Sequence, residues 1–363
     1  MRILVLNAGS SNLKASLIEP PNRAPAFERT ISWIDDGRDG ASATVREVLK
    51  ATGAPIDAIG HRVVHGGERF TGPTSLDDAA IDAIESMTDL APLHNPLALA
   101  TIRSARQFLP DVPQVAAFDT AFHATLPESA RRYPVPDDWA RAGIRRYGFH
   151  GLSVAWSVQR ASEMLDRPVE ELSLVIAHLG GGCSVTAVDA GQSVDTSMGM
   201  TPLEGLMMGT RAGSIDPGIV FHRLRDGQPA ETIESDLDRR SGLVGIAGSD
   251  DMGMLLAREA GGDERARLAI EMFVRRAAGA IAASATNLAM IDAIVFTGGI
   301  GEHATSVRAR ICERVHLVRL DGPEREVDGD GWLGTTSGPS VLRVTAREDL
   351  VIAAQAVAFV RGT

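Results

Sequence analysis

Two short turns rich in glycine and hydroxyl groups carry residues suited to binding phosphate. The first, NAGSSNLK at residues 7–14, follows an apolar run and is followed by alternating apolar positions. The second, HLGGGCS at residues 178–184, also follows an apolar run. Turns of this kind present backbone N–H groups and hydroxyls to an anion. Each turn taken alone is equally consistent with an ordinary polar hairpin, since short glycine motifs occur often by chance.

Four further side chains could handle a transferring phosphoryl group. Arg62 in HRVVHGG and Arg211 in MGTRAG are candidate anion forks, because a guanidinium binds two oxygens at once. Asp119 in FDTAFH follows an apolar run, and His150 in YGFHG stands beside a glycine. The alternatives are a surface ion pair for each arginine, a helix cap for Asp119 and a structural role for His150. Arginines, a histidine, Lys14 and Mg²⁺ would together suit phosphoryl transfer, whose transition state spreads negative charge over several oxygens.

The elements that must position these residues occur twice in the chain. A strand–turn–strand pattern at residues 3–17 is repeated at residues 174–190. A strand beginning DAI and ending in paired glycines follows each of them, at residues 57–67 and 292–299. Repetition of this kind predicts two related α/β domains that face each other across a central cleft.

Composition narrows the class of protein. The 363 residues are 44% hydrophobic, enough for about two globular domains. A net charge of −11 argues against nucleic acid or an anionic membrane as a partner. Two cysteines in unlike contexts predict no disulfide framework and suit a reducing cytoplasm. No apolar run approaches the ~20 residues of a membrane span, and the first residues lack the layout of a signal peptide. We therefore expect a cytoplasmic protein.

Seven motifs, taken in order, resemble the acetate kinases: NAGSSNLK, HRVVHGG, FDTAFH, YGFHG, HLGGGCSV, MGMTPLEGLMMGTRAGSIDPG and FTGGIGE. The resemblance runs from residue 7 to about residue 348, and the block at 198–218 is highly specific. It implies two related ribonuclease-H-like (actin-like ATPase) domains facing a central cleft, formed by residues 1–120 with 349–363 and by residues 121–348. It also implies reversible transfer of the γ-phosphoryl of ATP to acetate, which gives acetyl phosphate and ADP.

The resemblance also implies roles for individual residues. The expected catalytic residues are Asp119, His150 and Arg211, and those that bind acetate are Arg62, Val64, Leu93, Phe149 and Pro202. The expected nucleotide-binding residues are Asn7, Ser10, Asn12, Lys14, His178, Leu179, Gly180, Gly181, Gly182, Asp251, Met252, Gly253, Gly299, Ile300, Gly301, Glu302 and His303. Mg²⁺, with Mn²⁺ as an alternative, is expected on Asn7 and Glu348, with Asp349 as the rival of Glu348. A carboxylate acceptor is already deprotonated near pH 7, so positioning is the role that we favour for Asp119.

Four residues differ from the family pattern: Asn12, Gly181, Gly253 and His303. Three of them belong to the nucleotide side, which leaves the preferred nucleotide open. A propionate-preferring kinase is the alternative within the enzyme class, and a non-catalytic nucleotide sensor is the alternative outside it. Acceptor-side residues would serve no purpose in a sensor. The family further implies a homodimer and metabolic coupling to a phosphate acetyltransferase.

Overall fold

The computed structural model describes residues 1–9, 12–33, 38–53, 55–316, 329–334 and 338–362. Within these ranges the strands are β1 (Ile3–Ala8), β2 (Asn12–Ile18), β3 (Phe27–Ser32), β4 (Ala58–Val63), β5 (Thr74–Ser75), β6 (Gln114–Phe118), β7 (Ser173–Leu179), β8 (Cys183–Asp189), β9 (Gln192–Thr196), β10 (Ala293–Thr297), β11 (Gly331–Trp332) and β12 (Ser340–Arg343).

The helices in the same ranges are α1 (Arg38–Thr52), α2 (Asp78–Glu85), α3 (Asn95–Phe108), α4 (Glu128–Arg131), α5 (Asp137–Arg141), α6 (Gly151–Leu165), α7 (Gly218–Arg225), α8 (Ala230–Arg239), α9 (Gly242–Ala247), α10 (Met252–Ala260), α11 (Glu264–Ala285), α12 (Gly298–His303), α13 (Thr305–Val315) and α14 (Glu348–Arg361). Short 3₁₀ turns cover Thr88–Leu90, Ala121–Thr125 and Val169–Glu171. None of the described helices combines the length and hydropathy needed to cross a membrane.

The chain divides into two compact units. The first comprises Met1–Ala124, Phe149–Trp156 and Arg347–Thr363, and the second comprises Thr125–Gly148 and Ser157–Ala346. The first turns of α6 therefore belong with the first unit, although they lie far along the chain from its other residues. The domain ranges expected from the sequence remain a prediction.

Each unit contains a six-stranded mixed sheet, and the two sheets share one strand order. It is β3-β2-β1-β4-β6-β5 in the first unit and β9-β8-β7-β10-β12-β11 in the second. In both sheets a hairpin, β1–β2 or β7–β8, is antiparallel. The strands β4 and β6, or β10 and β12, then continue the sheet in parallel. The edge strand β5 or β11 is antiparallel to its neighbour. The predicted α/β class and the repeated hairpin are thus confirmed. The apolar runs become strands because both of their faces are covered.

One detail of the first hairpin differs from the expectation. The sequence predicts a turn from residue 7 onward, whereas β1 continues through Ala8 and β2 begins at Asn12. Asn7 consequently lies in a strand, directly opposite Lys14. A strand position fixes the direction of the Asn7 side chain more firmly than a turn would.

The sheet of the first unit has an apolar core on each face. Residues of α2 and α3, among them Ile84 and Ile102, pack with Leu6 and Val63 on one face. On the other face α14 packs with β1 and β4. Gly60 permits this close approach, because a Cβ there would lie 2.5 Å from Ile352 Cγ2. In the second unit α11 packs its buried residues against β7 and β8. Helices on both faces keep the ends of β4 and β6 in fixed positions.

A buried histidine makes the stability of the fold depend on pH. His61 in β4 is 1% exposed and lies 2.8 Å from Gln114 Oε1 through its Nε2. In the described part of the chain, His61 Nδ1 has no hydrogen-bond partner. Burial lowers the pKa of His61 from 6.5 to about 4, although the Gln114 hydrogen bond acts in the opposite direction. The folded state therefore holds this imidazole neutral over a pH range in which the unfolded chain protonates it.

We expect the free energy of unfolding to fall as the pH falls from about 6.5 to about 4. The loss attributable to His61 should reach about 3 kcal/mol at the lower end of that range, at 1.36 kcal/mol per pKa unit. Urea unfolding of the wild type and of His61→Gln across this range measures it, and the variant should show the shallower pH dependence. His222→Gln in α7 is the control, because its side chain is 67% exposed. Parallel curves for wild type and His61→Gln would contradict the expectation.

Candidate active site

Arg62 and Asp119 meet at one edge of the first sheet. Arg62 lies near the carboxyl end of β4, and Asp119 directly follows the neighbouring parallel strand β6. Carboxyl ends of parallel strands are where α/β sheets place ligands. Arg62 Nε donates to Asp119 Oδ1 at 2.9 Å, and Nη2 donates to Oδ2. Two residues that the sequence predicts separately thus form one bidentate ion pair.

Burial determines how this pair behaves. Asp119 is 1% exposed, and burial raises the pKa of its carboxyl while the Arg62 guanidinium acts to lower it. Burial acts to lower the pKa of Arg62, but the charges of Asp119 and Glu348 outweigh it and raise that pKa. Both carboxylate oxygens of Asp119 accept hydrogen bonds from the guanidinium. This arrangement favours a positioning role for Asp119 over proton transfer.

Asn7 and Glu348 extend the cluster. Arg62 Nη1 donates to Asn7 Oδ1 at 3.2 Å, and Asn7 Nδ2 donates to Glu348 Oε2 at 3.0 Å. Glu348 Oε2 also lies 3.9 Å from Arg62 Nε. Asp349 instead accepts two hydrogen bonds from Arg347, at 2.9 and 2.8 Å. The two rival carboxylates are thereby distinguished, because only Glu348 joins the Arg62 cluster.

The cluster fits a divalent cation that prefers oxygen. One arginine and two carboxylates leave a net negative charge, which a cation would balance. Mg²⁺ is usually held by one or two carboxylates together with water and phosphate oxygens. Across the described ranges, no group of three or more His, Cys, Asp or Glu side chains is suitably placed for a metal. Glu348 fits this role. The Asn7 nitrogen donates to Glu348 and the Asn7 oxygen accepts from Arg62, so a contact of Asn7 with the metal remains a prediction.

His150 is held close to Asp119 by a glycine contact. His150 has a left-handed φ of 59° and directly precedes α6. The Gly151 N–H donates to the Asp119 carbonyl oxygen at 2.9 Å. A Cβ on Gly151 would lie 2.2 Å from that same oxygen, so only glycine permits the approach. The start of α6 is thus fixed against the end of β6.

Contacts of His65 link the chain segments that carry three of the four predicted acyl-pocket residues. Val64 and Phe149 are buried and Leu93 is half-buried. His65 follows Val64, and Asn95 lies two residues after Leu93. The Asn95 side chain accepts from the His65 N–H at 3.2 Å and donates to the His65 carbonyl at 3.1 Å. The His65 ring meets Phe149 edge-on, with centroids 5.3 Å apart. The fourth residue, Pro202, lies in the second unit, and its place beside the other three stays a prediction.

The sequence did not reveal the supports of these residues. The Asn95–Pro96 pair is typical of a helix start, which hid the contact of Asn95 with His65. His123 is buried, and its Nε2–H donates to the Phe149 carbonyl at 2.9 Å. Thr120 Oγ1 accepts from the Gly66 N–H at 3.1 Å. Thr120 and His123 lie within FDTAFH, and membership of this motif is the only sequence signal that marks them.

The first hairpin tip is closed by its own backbone. The Gly9 N–H donates to the Asn12 carbonyl at 2.8 Å, and Trp33 Nε1 donates to the Gly9 carbonyl at 3.0 Å. Lys14 is exposed and lies opposite Asn7 in the hairpin. Ser10 lies outside the described residues. The predicted phosphate contact of this hairpin remains a prediction.

The second hairpin tip meets the other predicted glycine turn. Gly298 has a φ of +76°, and a Cβ there would lie 2.8 Å from the Leu179 carbonyl oxygen and 3.1 Å from His178 Nε2. The turns HLGGG and GGIGE, more than a hundred residues apart in sequence, are therefore adjacent. A Cβ at Gly181 or Gly299 would meet nothing within 4 Å. The tip thus leaves open space beside exposed backbone.

The remaining nucleotide candidates fall into two sets. Those that reach the surface at least in part are His178, Gly181, Gly182, Asp251, Gly253, Gly299, Ile300 and His303. Those that are buried are Leu179, Gly180, Met252, Gly301 and Glu302. Glu302 Oε1 accepts from the Ala346 N–H at 3.0 Å, and Asp251 caps α10 by accepting from the Met254 N–H at 3.0 Å. Glu302 and Asp251 therefore stabilise the local backbone, and their predicted contact with a nucleotide remains a prediction.

Arg211 lies in the second unit, next to the second hairpin tip. Its Nε donates to Asp238 Oδ1 at 2.8 Å, and its side chain is 16% exposed. In the same segment the Gly209 N–H donates to the Gly181 carbonyl at 3.3 Å. Burial raises the pKa of the nearby Cys183 thiol to about 12, although the charge of Arg211 acts to lower it. The thiol therefore stays protonated, which excludes it as a nucleophile near neutral pH.

Comparisons with known proteins point to one family over most of the chain. The model of the Acetokinase family matches residues 38–354. An acetate kinase from Synechococcus sp. (strain JA-2-3B'a(2-13)) is 43% identical over 397 residues, which cover 97% of this chain and 98% of that protein. A solved propionate kinase from Francisella tularensis subsp. tularensis SCHU S4 has a TM-score of 0.91 at 35% identity, covering 98% of this chain and 99% of that one. A solved acetate kinase from Porphyromonas gingivalis has a TM-score of 0.88 at 31% identity, covering 99% of each chain.

Proposed function

This chain belongs to the acetokinase family, and from that premise we propose that it reversibly transfers the γ-phosphoryl of ATP to acetate. The products are acetyl phosphate and ADP. The single observation that carries the proposal is the Arg62–Asp119 pair, joined to Asn7 and Glu348 at the edge of the first sheet. A partly buried, oriented guanidinium beside a cation-attracting carboxylate suits an acceptor that is itself a carboxylate.

Arg62 binds the carboxylate of acetate. A guanidinium has five N–H donors; Asp119 engages two of them and Asn7 a third. The donors that remain on Nη1 and Nη2 can hold a further anion. Acetate is ionised near pH 7, as carboxyl groups with a pKa near 4 are, so its oxygen attacks the phosphorus without a general base. Asp119 fixes the plane of the Arg62 guanidinium during this step.

The negative charge of the transferring phosphoryl is stabilised by Arg211 and His150. Its three equatorial oxygens gain charge in the transition state, and fixed donors aimed at them lower the barrier. Asn7, Lys14 and the tip at residues 178–182 bind the phosphates of the nucleotide. Glu348 would hold Mg²⁺, which would neutralise phosphate charge.

A preference for propionate is the second candidate, because the solved propionate kinase has a TM-score of 0.91 with this chain. Val64, Leu93, Phe149 and Pro202 set the space available to the acyl chain. One methylene changes discrimination in an apolar pocket by about 1–3 kcal/mol. The enzyme should consequently use both acetate and propionate, with acetate preferred.

We also propose that the protein is cytoplasmic and forms a homodimer. Its acetyl phosphate would couple it metabolically to a phosphate acetyltransferase. Helix α7 supports the dimer, because it has no buried residue and exposes Ile219, Phe221 and Leu224. Clustered exposed apolar side chains are typical of protein interfaces.

Rates of acyl-hydroxamate formation from ATP test the function and its rival together. Acetate should have the highest kcat/KM. The value for propionate should be lower by at most about 10–200-fold, and the value for butyrate should be the lowest. Parallel assays of ADP release show whether each turnover yields an acyl phosphate. A higher kcat/KM for propionate would favour the second candidate. ADP release without any hydroxamate would contradict both.

A further inference from the structure

The backbone on both sides of Arg211 is tied to the end of helix α8. Thr210 Oγ1 donates to the Asp238 carbonyl at 2.8 Å, and the Ala212 N–H donates to the Leu237 carbonyl at 2.9 Å. The Ser241 N–H donates in turn to the Thr210 carbonyl at 3.0 Å. The residues on both sides of Arg211, Thr210 and Ala212, are therefore hydrogen-bonded to the end of α8.

The side chain of Arg211 is held by the same helix end. Arg211 Nε donates to Asp238 Oδ1 at 2.8 Å, and the two side chains are 16% and 18% exposed. Among the residues that the structure describes, Nη1 has one contact, a long one of 4.0 Å with Met208 Sδ. Arg62 differs, because Asp119 and Asn7 engage three of its donors. Asp238 thus fixes the Arg211 guanidinium through one nitrogen and leaves its Nη edge to an anion.

We infer that Asp238 is a positioning residue for phosphoryl transfer, acting through Arg211. The inference rests on the proposed function, in which Arg211 stabilises the transferring phosphoryl. Arginine is long and flexible, and its donors help a transition state only when their direction is set beforehand. A carboxylate on Nε sets that direction without occupying the Nη donors. Asp238 touches neither substrate in this account.

The chain offers a matched control on the same helix. Asp236 Oδ1 accepts from Arg240 Nη1 at 2.8 Å, so it too is an α8 aspartate paired with an arginine. Arg240 is 74% exposed and belongs to none of the predicted site residues. Asp236→Ala removes a more exposed aspartate–arginine ion pair from the same helix without touching Arg211.

The test compares kcat and KM for Asp238→Ala, Asp238→Asn, Asp236→Ala, Arg211→Ala and the double variant Asp238→Ala/Arg211→Ala. Asp238→Ala should lower kcat by about tenfold to a hundredfold, as small misplacements of catalytic groups do, with KM for ATP little changed. Asp238→Asn keeps an oxygen acceptor of the same size and should recover most of the loss. Asp236→Ala should behave as wild type. Thermal melting confirms that each variant is folded.

The double variant gives the decisive comparison. If Asp238 acts only through Arg211, the double variant should have the same kcat as Arg211→Ala. Multiplied losses, or equal behaviour of Asp238→Ala and Asp236→Ala, would overturn the positioning role while leaving the function intact. A wild-type kcat in Arg211→Ala would instead overturn the role of Arg211 in the proposed function, and the inference with it.

Discussion

Replacing Arg211 with alanine is expected to lower kcat by about a hundredfold to a thousandfold, the usual effect of removing one transition-state donor. Arg211 is largely buried, and within the described ranges no carboxylate accepts a hydrogen bond from its Nη atoms. Its charge should matter most when the equatorial oxygens of the phosphoryl gain charge, so KM for ATP should change far less than kcat. Steady-state kinetics with ATP and acetate varied in turn measure both quantities.

Arg258→Ala is a suitable control for that experiment. Arg258 lies in the same unit, pairs with Asp263 and is 34% exposed, but it is not a predicted site residue. Its removal should leave kcat within a few-fold of wild type. If Arg211→Ala also retained kcat within a few-fold, Arg211 would have no part in the chemistry.

Replacing Asp119 with asparagine should have the second large effect. Asparagine offers one oxygen acceptor instead of two and removes the charge that forms the bidentate pair with Arg62, which leaves only the more distant Glu348 carboxylate of the cluster, 3.9 Å away, to balance the guanidinium. We expect kcat/KM for acetate to fall by about a hundredfold, because the fork that binds acetate loses its orientation. The free energy of unfolding should fall by about 3 kcal/mol, as it does when one partner of a buried pair is removed. Acetate-dependent kinetics and urea unfolding provide the two measurements.

A neighbouring pair separates this effect from the loss of any ion pair. Arg347 donates to Asp349 through the same two nitrogens, Nε and Nη2. Asp349→Asn should therefore weaken a more exposed bidentate ion pair outside the Arg62 cluster and leave the acetate kinetics unchanged. Similar losses from Asp119→Asn and Asp349→Asn would show that the effect is general destabilisation.

The sequence predicted the strands, and with them the ends at which the acceptor residues lie. Continuous apolar runs and paired glycines indicated β1, β4, β7 and β10. Arg62 and Asp119 were placed at strand ends by this pattern, and parallel neighbours must bring those ends to one sheet edge. Their bidentate contact, across 57 residues of chain, depends on side-chain packing that no local pattern records.

The supporting residues were harder to predict for the same reason. Asp238 stands in a charged helix, and nothing in ESDLDRRS marks it as the partner of Arg211. Asn95 carries the signature of a helix start, yet its amide holds the His65 backbone. Gly151 looks like any glycine after a histidine, and what explains it is that a Cβ there would lie only 2.2 Å from the Asp119 carbonyl oxygen. Long-range contacts decide each of these roles.

The central claim is that an acetate oxygen accepts the γ-phosphoryl of ATP. Phosphorus NMR of a reaction with ATP, Mg²⁺ and acetate carrying heavy oxygen in its carboxylate tests this claim most directly. We predict acetyl phosphate in equal amount to ADP, with heavy oxygen in the bridge to phosphorus. Inorganic phosphate accumulating with ADP from the start, with no labelled acetyl phosphate, would contradict the account.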